Sequence, residues 1–428
     1  MKLVFVTQVL DRGDAVLGFV HRWVQGLAAC AERVRVLALE VGDTSGLPAN
    51  VDWRVLGRRG HLARWFRYRS LLGEALRRDG FDALLTHMVP RYSLVAAGPA
   101  RRAGVPHFLW YTHAGVDGRL IRAARLVDGV FTASEESLRI ETPRKIVTGH
   151  GIDVAHFAAD TGAAVSPPRL LSVGRLTPSK DPLTVLEALA LLVGAGRDVH
   201  LDWAGGALAR GDDEYGARVR ARVSELGLSG RVRWLGAVPY AEIPALYRAA
   251  TVFVSASRTG SVDKVVLEAM AAGRPVVTSN EAFPRVFAGL RRIGADAALA
   301  ARLSFPAGDP TALAAQVGAW LDAGAPARDA AGASLRALVA QEHAVDPLMA
   351  RLVAHMDAAR GPREGRSMTH LLAQVGVVVP VWNAAAELEA CLRSLAPAAA
   401  AGARIVVVDD ASTDGAGGAR ARASRSRA

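Results

Sequence analysis

Ser255-Ala-Ser-Arg-Thr-Gly-Ser-Val-Asp-Lys-Val-Val-Leu-Glu-Ala-Met-Ala-Ala-Gly-Arg-Pro-Val-Val277 reads as a buried strand end, a polar loop, a helix carrying Glu268, a Gly-Arg-Pro turn and a second strand. Strand, helix and strand in succession are the unit of a parallel sheet. A second stretch, Ser172-Val-Gly-Arg-Leu-Thr-Pro-Ser-Lys-Asp181, leaves another strand at Gly174 and carries Arg175 and Lys180 up to a helix that Asp181-Pro182 opens. Proline suits the first turn of a helix. Cations beside a helix N-terminus suit a diphosphate, the alternative being a divalent metal held by carboxylates.

Working outward, apolar strand-like runs alternate with helical patterns along most of the chain, which predicts an α/β fold on parallel sheets. In the first half the expected strands are Leu3–Thr7, Val34–Leu39, Ala83–Thr86, His107–Tyr111, Gly129–Thr132 and Lys145–Thr148, with helices at Phe19–Ala31 and Leu62–Arg78 among those between them. The alternation restarts with Arg169–Val173, Val199–Ala204, Val232–Leu235, Val252–Ser255 and Pro275–Thr278, and a further run lies near Leu303–Phe305. Composition divides the chain into a first lobe 1–157, a small-residue linker 158–168, a second lobe 169–358, a linker 359–372, an α/β fragment 373–415 and an Arg-rich tail 416–428 expected to be disordered. Two such lobes favour a ligand in the cleft between them.

The net charge of +11 attracts phosphorylated small molecules, anionic lipid or nucleic acid without choosing among them. No nucleic-acid reader motif accompanies it, so nucleic acid is not an expected partner. No apolar run reaches the roughly 18 residues of a membrane span. Met1-Lys-Leu-Val-Phe-Val6 is too short for a signal peptide and reads as a strand. Cys30 and Cys391 fall in apolar helical contexts and read as reduced core thiols, which suits a cytoplasmic protein.

The two opening stretches together resemble glycosyltransferase family 4, the retaining, two-Rossmann-lobe GT-B enzymes of the group 1 glycosyl transferases. The resemblance implies that Arg175 and Lys180 contact the donor's phosphates, with Gly174 allowing close approach. Glu268 matches the second Glu of the family's Glu-x7-Glu motif, which typically holds the ribose hydroxyls. Trp203-Ala-Gly-Gly206 resembles the Gly-Gly turn of this lobe, bringing Gly205 and Gly206 to the donor, and Trp234-Leu-Gly-Ala-Val-Pro-Tyr240 resembles the segment meeting the base near Val238. Gly308-Asp-Pro310 and the helix expected from Thr311 fall within the family's closing motif. In the first lobe Gly18 stands at a close approach, and His113 matches the His beside the sugar. Gly149-His-Gly-Ile-Asp153 and Phe157 resemble the segment before the linker, with His150 in place of Asn.

One position departs from the pattern: Gly260 stands where the first motif Glu should contact the transferred sugar. The backbone N–H groups of Ser261, Val262, Asp263 and Lys264 suit phosphate at a helix start, and Asp263 or Ser261 is a candidate for the lost carboxylate's role. The implied reaction is metal-independent transfer from a UDP-sugar, or next a GDP-sugar, to a glycan or lipid-linked acceptor in envelope or exopolysaccharide assembly. The rivals are a related GT-B phosphorylase or epimerase, and a nucleotide-sugar-binding protein without turnover.

Residues 58–78 interleave Arg58, Arg59, Arg64, Arg67, Arg69, Arg77 and Arg78 with Leu62, Trp65, Phe66, Leu71, Leu72 and Leu76. Such a basic amphipathic segment suits peripheral contact with the inner face of an anionic membrane, and also an ordinary packed surface helix. Val377-Val-Val-Pro-Val-Trp-Asn-Ala384 and Ile405-Val-Val-Val-Asp-Asp-Ala-Ser-Thr-Asp-Gly415 resemble the opening of glycosyltransferase family 2, a GT-A fold, with Asp409 and Asp410 near its nucleotide. Only the first part of such a domain is present, so a truncated module without its own activity is expected.

Overall fold

The computed structural model describes residues 1–58, 60–158, 166–206, 212–296, 298–360, 376–400 and 403–414. Most of both linkers, all of 416–428, and Arg59 lie outside the described residues.

The chain divides into two units, Met1–Ala359 and Arg360–Ala428. The first holds two parallel sheets. Strands β1 (Lys2–Leu10), β2 (Arg33–Val41), β3 (Val51–Val55), β4 (Ala83–His87), β5 (His107–Trp110), β6 (Gly129–Thr132) and β7 (Lys145–Val147) form one, in the order β3-β2-β1-β4-β5-β6-β7. Strands β8 (Arg169–Val173), β9 (His200–Ala204), β10 (Val232–Gly236), β11 (Val252–Ser255) and β12 (Val276–Thr278) form the other, in the order β10-β9-β8-β11-β12. In each sheet the order reverses once, between β1 and β4 and between β8 and β11. Crevices form at such reversals, beyond the carboxyl ends of the strands.

Alternation along β1 sends Leu3 and Phe5 to one face and Val4 and Val6 to the other. The first face packs on the helix Phe19–Cys30 through Val20, Trp23 and Leu27. The second packs on Tyr68, Leu72 and Leu76 of the segment after β3 and on Ala96 and Ala100 of the helix Pro90–Ala103. Interior strands covered on both faces read as continuous apolar runs, as the fully buried β4 shows.

The structure corrects several expectations. The helix Val345–Ala358, counted above with the second lobe, packs on the first: Leu348, Met349, Leu352 and Met356 join the cluster of Val20, Trp23 and Leu27. Its apolar stripe repeats every three or four residues and meets the Phe19–Cys30 helix where Gly26 has no side chain; a Cβ there would lie 2.7 Å from Met349 Cγ. The crossing is fastened by backbone bonds from Ile152 N to His343 O (2.7 Å) and from Val345 N to Ile152 O (2.9 Å). Strand β3 was not foreseen, because Asp52 and Arg54 break its apolar run at the sheet edge. Leu303–Phe305 supplies only a single bridge, Ser304 to Thr278. Cys30 ends its helix exposed and Cys391 is half-buried, so neither is a core thiol. Leu62–Arg78 is an α-helix only over His61–Gly73; Glu74–Arg78 continues it as a wider π turn.

In the second unit β13 (Gly376–Val381) and β14 (Arg404–Asp409) pair in parallel and flank the helix Ala385–Ala400. Val378, Trp382, Val406 and Val408 are exposed on it.

Candidate active site

The reversal between β8 and β11 brings together two loops that lie far apart in sequence. After β8 the chain passes Gly174 and the exposed Arg175, makes a single turn over Pro178–Lys180, and enters the helix Pro182–Gly194. After β11 it runs through Ser257–Asp263 into the helix Lys264–Ala271. Lys180 Nζ donates to Asp263 Oδ1 at 2.8 Å and lies 3.4 Å from Ser257 Oγ. Thr259 Oγ1 donates to the same Asp263 oxygen at 3.2 Å. The other oxygen, Asp263 Oδ2, is buried with no hydrogen-bond partner among the described residues. A buried acceptor in that state costs about 1–3 kcal/mol.

One helical turn on, Glu268 is buried in its helix. Its Oε1 accepts from Lys264 Nζ at 2.5 Å and its Oε2 from Tyr247 Oη at 3.1 Å. Burial, then the Glu268 charge, pushes the Tyr247 phenol well above its ordinary pKa, so it remains a donor. Each carboxylate oxygen keeps a second lone pair.

The glycines act by close approach. Gly205 has φ +132°, and a Cβ there would lie 2.2 Å from Gly174 O, backbone against backbone. Trp203 Nε1 donates to that carbonyl at 2.8 Å, and Gly205 N donates to Gly236 O at 2.7 Å. Gly206 faces Ala237, with its Cβ position 3.6 Å from that residue's N. Val238 packs half-buried on the second-lobe core.

The first lobe contributes contacts that the sequence did not disclose. Gly18 is buried, and a Cβ there would lie 2.5 Å from Asp14 O of its own loop and 2.8 Å from Tyr240 Cβ of the second lobe. Lys264 Nζ sits 4.1 Å from the Phe19 ring centroid and 4.7 Å from that of Tyr240. Val262 N, expected to face phosphate, donates instead to Ser137 Oγ at 3.2 Å, while Asn280 Nδ2 donates to Ser261 O at 2.9 Å. Gly260 adopts φ +66°, and a Cβ on it would lie 2.0 Å from Arg139 Nη2 and 2.9 Å from Glu281 Oε1. Arg139 pairs with Glu281 at 3.2 Å, and Arg285 with Glu136 at 3.3 Å. No local motif marks Phe19, Ser137, Arg139 or Glu136, because each acts on a partner in the other lobe.

His113 stands exposed beyond β5, its Nδ1 accepting from Gly115 N at 2.9 Å. Among the described residues, its hydrogen-bond and ring contacts, with Gly115 and Tyr111, are local. His150 is buried beside Trp110, and burial, then the Lys264 charge, lowers its pKa to about 3.

Residues 167–323 match the family described as glycosyl transferases group 1, and residues 376–422 match glycosyl transferase family 2. The chain is 32% identical over 168 residues to the lipopolysaccharide core biosynthesis mannosyltransferase LpcC of Rhizobium leguminosarum bv. viciae, covering 36% of this chain and 46% of that protein. It is 34% identical over 109 residues to the D-inositol 3-phosphate glycosyltransferase of Corynebacterium glutamicum, covering 25% and 26%. These matches span less than half the length of either relative. The fold is similar to that of Anabaena HepE in complex with UDP, with TM-score 0.65, 18% identity, and 84% of this chain and 100% of that one covered. Sucrose-phosphate synthase from Thermosynechococcus elongatus gives the same TM-score of 0.65 at 18% identity, with 84% and 100% covered. The chain therefore has the GT-B architecture, two Rossmann-like lobes, and over residues 167–323 it is similar to the glycosyl transferases group 1.

Proposed function

We propose that this chain transfers a sugar, with retention, from a nucleotide-diphospho-sugar to a glycan or lipid-linked acceptor in envelope or exopolysaccharide assembly. The observation that carries the reading is the convergence of Lys180, Asp263, Lys264 and Glu268 at the reversal between β8 and β11. HepE was solved with UDP and with UDP-glucose, which supports a UDP-sugar as donor.

The residues have distinct tasks in this reading. Arg175, Lys180 and the start of the helix Pro182–Gly194 offset the charge of the departing diphosphate, without a metal. Gly174, Gly205 and Gly206 let backbone approach it, and Val238 meets the base. Glu268 takes the ribose hydroxyls on its remaining lone pairs. Asp263 Oδ2, buried and unpartnered among the described residues, accepts from a sugar hydroxyl and takes over the role vacated at Gly260. His113 lines the acceptor side. The acceptor oxygen attacks the anomeric carbon on the face the diphosphate leaves, through an oxocarbenium-like transition state. The protein works in the cytoplasm, with the His61–Arg78 segment against an anionic membrane.

A second reading, binding without turnover, draws on Arg139 covering Gly260. Thermal stabilisation by UDP-, GDP- and ADP-sugars, with and without EDTA, followed by a turnover assay, separates the two. A shift with one donor that survives EDTA and disappears in Lys180→Ala supports the site. Stabilisation without turnover on any acceptor supports binding alone, and no shift with any donor refutes both.

A further inference from the structure

The first lobe carries a second concavity that shares no residue with the proposed donor site. Between the helix His61–Gly73, the π turn Glu74–Arg78 and the helix Pro90–Ala103 lies a cavity of about 270 Å³. Its apolar wall includes Leu72, Leu76 and Pro99, all buried, and its rim carries Arg69, Arg77 and Arg102. No carboxylate lines it. None of these three arginines forms an ion pair with a carboxylate among the described residues. A second concavity of about 450 Å³ adjoins along Gly73, Arg77 and Arg78, with Glu74 as its one acid.

Local structure holds the cations in position. The π turn closes with Asp79 N bonded to Glu74 O at 3.1 Å. π turns are rare and recur at functional sites. This one lays the Arg77 guanidinium against Gly73, where a Cβ would lie 2.9 Å from Nη2. Arg69 stacks on Trp65 with its guanidinium carbon 4.8 Å from the ring centroid. On the same helix Leu62 is 76% and Phe66 64% exposed.

We propose that this cavity seats the phosphate head group of an anionic phospholipid, with Phe66 and Leu62 entering the acyl layer. Three guanidiniums without a carboxylate partner among the described residues call for an anion, and arginine suits phosphate by its fork of donors. The volume falls below the roughly 300–1,000 Å³ of common small-molecule sites, so it suits a head group better than a whole nucleotide sugar. A soluble phosphate would need no exposed apolar neighbours, whereas a membrane surface rewards both features together. The inference deepens the membrane contact proposed above into a defined head-group site and is independent of the transfer reaction.

The test is sedimentation of the full chain with phosphatidylcholine vesicles, with and without phosphatidylglycerol. Binding should require phosphatidylglycerol and fall about tenfold or more in Arg77→Gln/Arg102→Gln. Arg119→Gln/Arg122→Gln removes the same charge from the helix Gly118–Leu126 and should bind as the parent does. Phe66→Ser should weaken binding while leaving the phosphatidylglycerol requirement. Equal loss in both Arg pairs would reduce the contact to diffuse charge and overturn the site. Equal binding to phosphatidylcholine alone, or displacement by inorganic phosphate as effective as by soluble short-chain phosphatidylglycerol, would also overturn it. Absence of binding to any vesicle would remove the membrane contact as well, while donor turnover would still judge the transfer reaction separately.

Discussion

Lys180 and Asp263 form the residue-level centre of the second lobe, and their partnership sets the sharpest expectation. Asp263→Asn keeps the shape but removes the charge that Lys180 faces at 2.8 Å. A charge-assisted bond is worth about 1.5–3 kcal/mol, so kcat/KM should fall roughly 10- to 100-fold; unchanged turnover and donor choice would remove Asp263 from the site. At Gly205 a Cβ would strike the Gly174 carbonyl. Gly205→Ala should therefore lower stability by more than about 1 kcal/mol in urea unfolding, and an unchanged midpoint would contradict the close approach. Restoring the motif by Gly260→Glu should not improve turnover. The position is left-handed, where a side chain costs about 1–2 kcal/mol, and the Arg139 guanidinium already fills the space. Arg175, Lys180 and Glu268 could be nominated from the sequence because each lies in its own strand–loop–helix stretch. The parts played by Tyr247, Tyr240 and Ser137 could not, because those residues meet the site only through folding.

Among the elements, the helix Val345–Ala358 shows how far sequence order can mislead. It follows the second lobe but completes the core of the first. Its apolar stripe was readable, but its destination was not, since a stripe of that kind suits any apolar face. Met349, fully buried against Gly26, should cost about 2–5 kcal/mol when replaced by Ala. The loss should appear in the unfolding of the first lobe, followed by Trp23 fluorescence, because Trp23 shares that cluster. Loss confined to the second lobe would place the helix wrongly. Strand β3 makes the complementary point. Its polar residues hide it from a hydrophobicity pattern, and only pairing with β2 reveals it.

Across the whole molecule, the first unit buries several histidines. Burial lowers the pKa of His87 and His150 to about 3 and of His343 to about 4. In the unfolded chain an imidazole takes up its proton near pH 6.5. Between roughly pH 6.5 and 4 the unfolded state thus binds more protons, and stability falls as pH falls. Each fully buried group contributes a slope of about 1.4 kcal/mol per pH unit. The urea midpoint should drop between about pH 7 and 5, and His150→Asn should flatten that drop. A midpoint independent of pH in that range would show that these imidazoles are not held neutral. By contrast, the Arg139–Glu281 pair joining the lobes is half-exposed, and such pairs contribute only about 0–1 kcal/mol.

The sequence by itself determined the α/β class and both parallel sheets apart from the edge strand β3, and it nominated the residues of the proposed phosphate and ribose contacts. Those features depend on local periodicity, turn chemistry and short motifs. Only the tertiary structure decided which lobe received the helix Val345–Ala358, what surrounds glycine at position 260, and which side chains cross the cleft. These depend on contacts between residues more than a hundred positions apart, such as Arg139 with Gly260 and Ser137 with Val262. Nothing in either local stretch specifies its partner; complementary shape and charge do so once the sheets have brought them together.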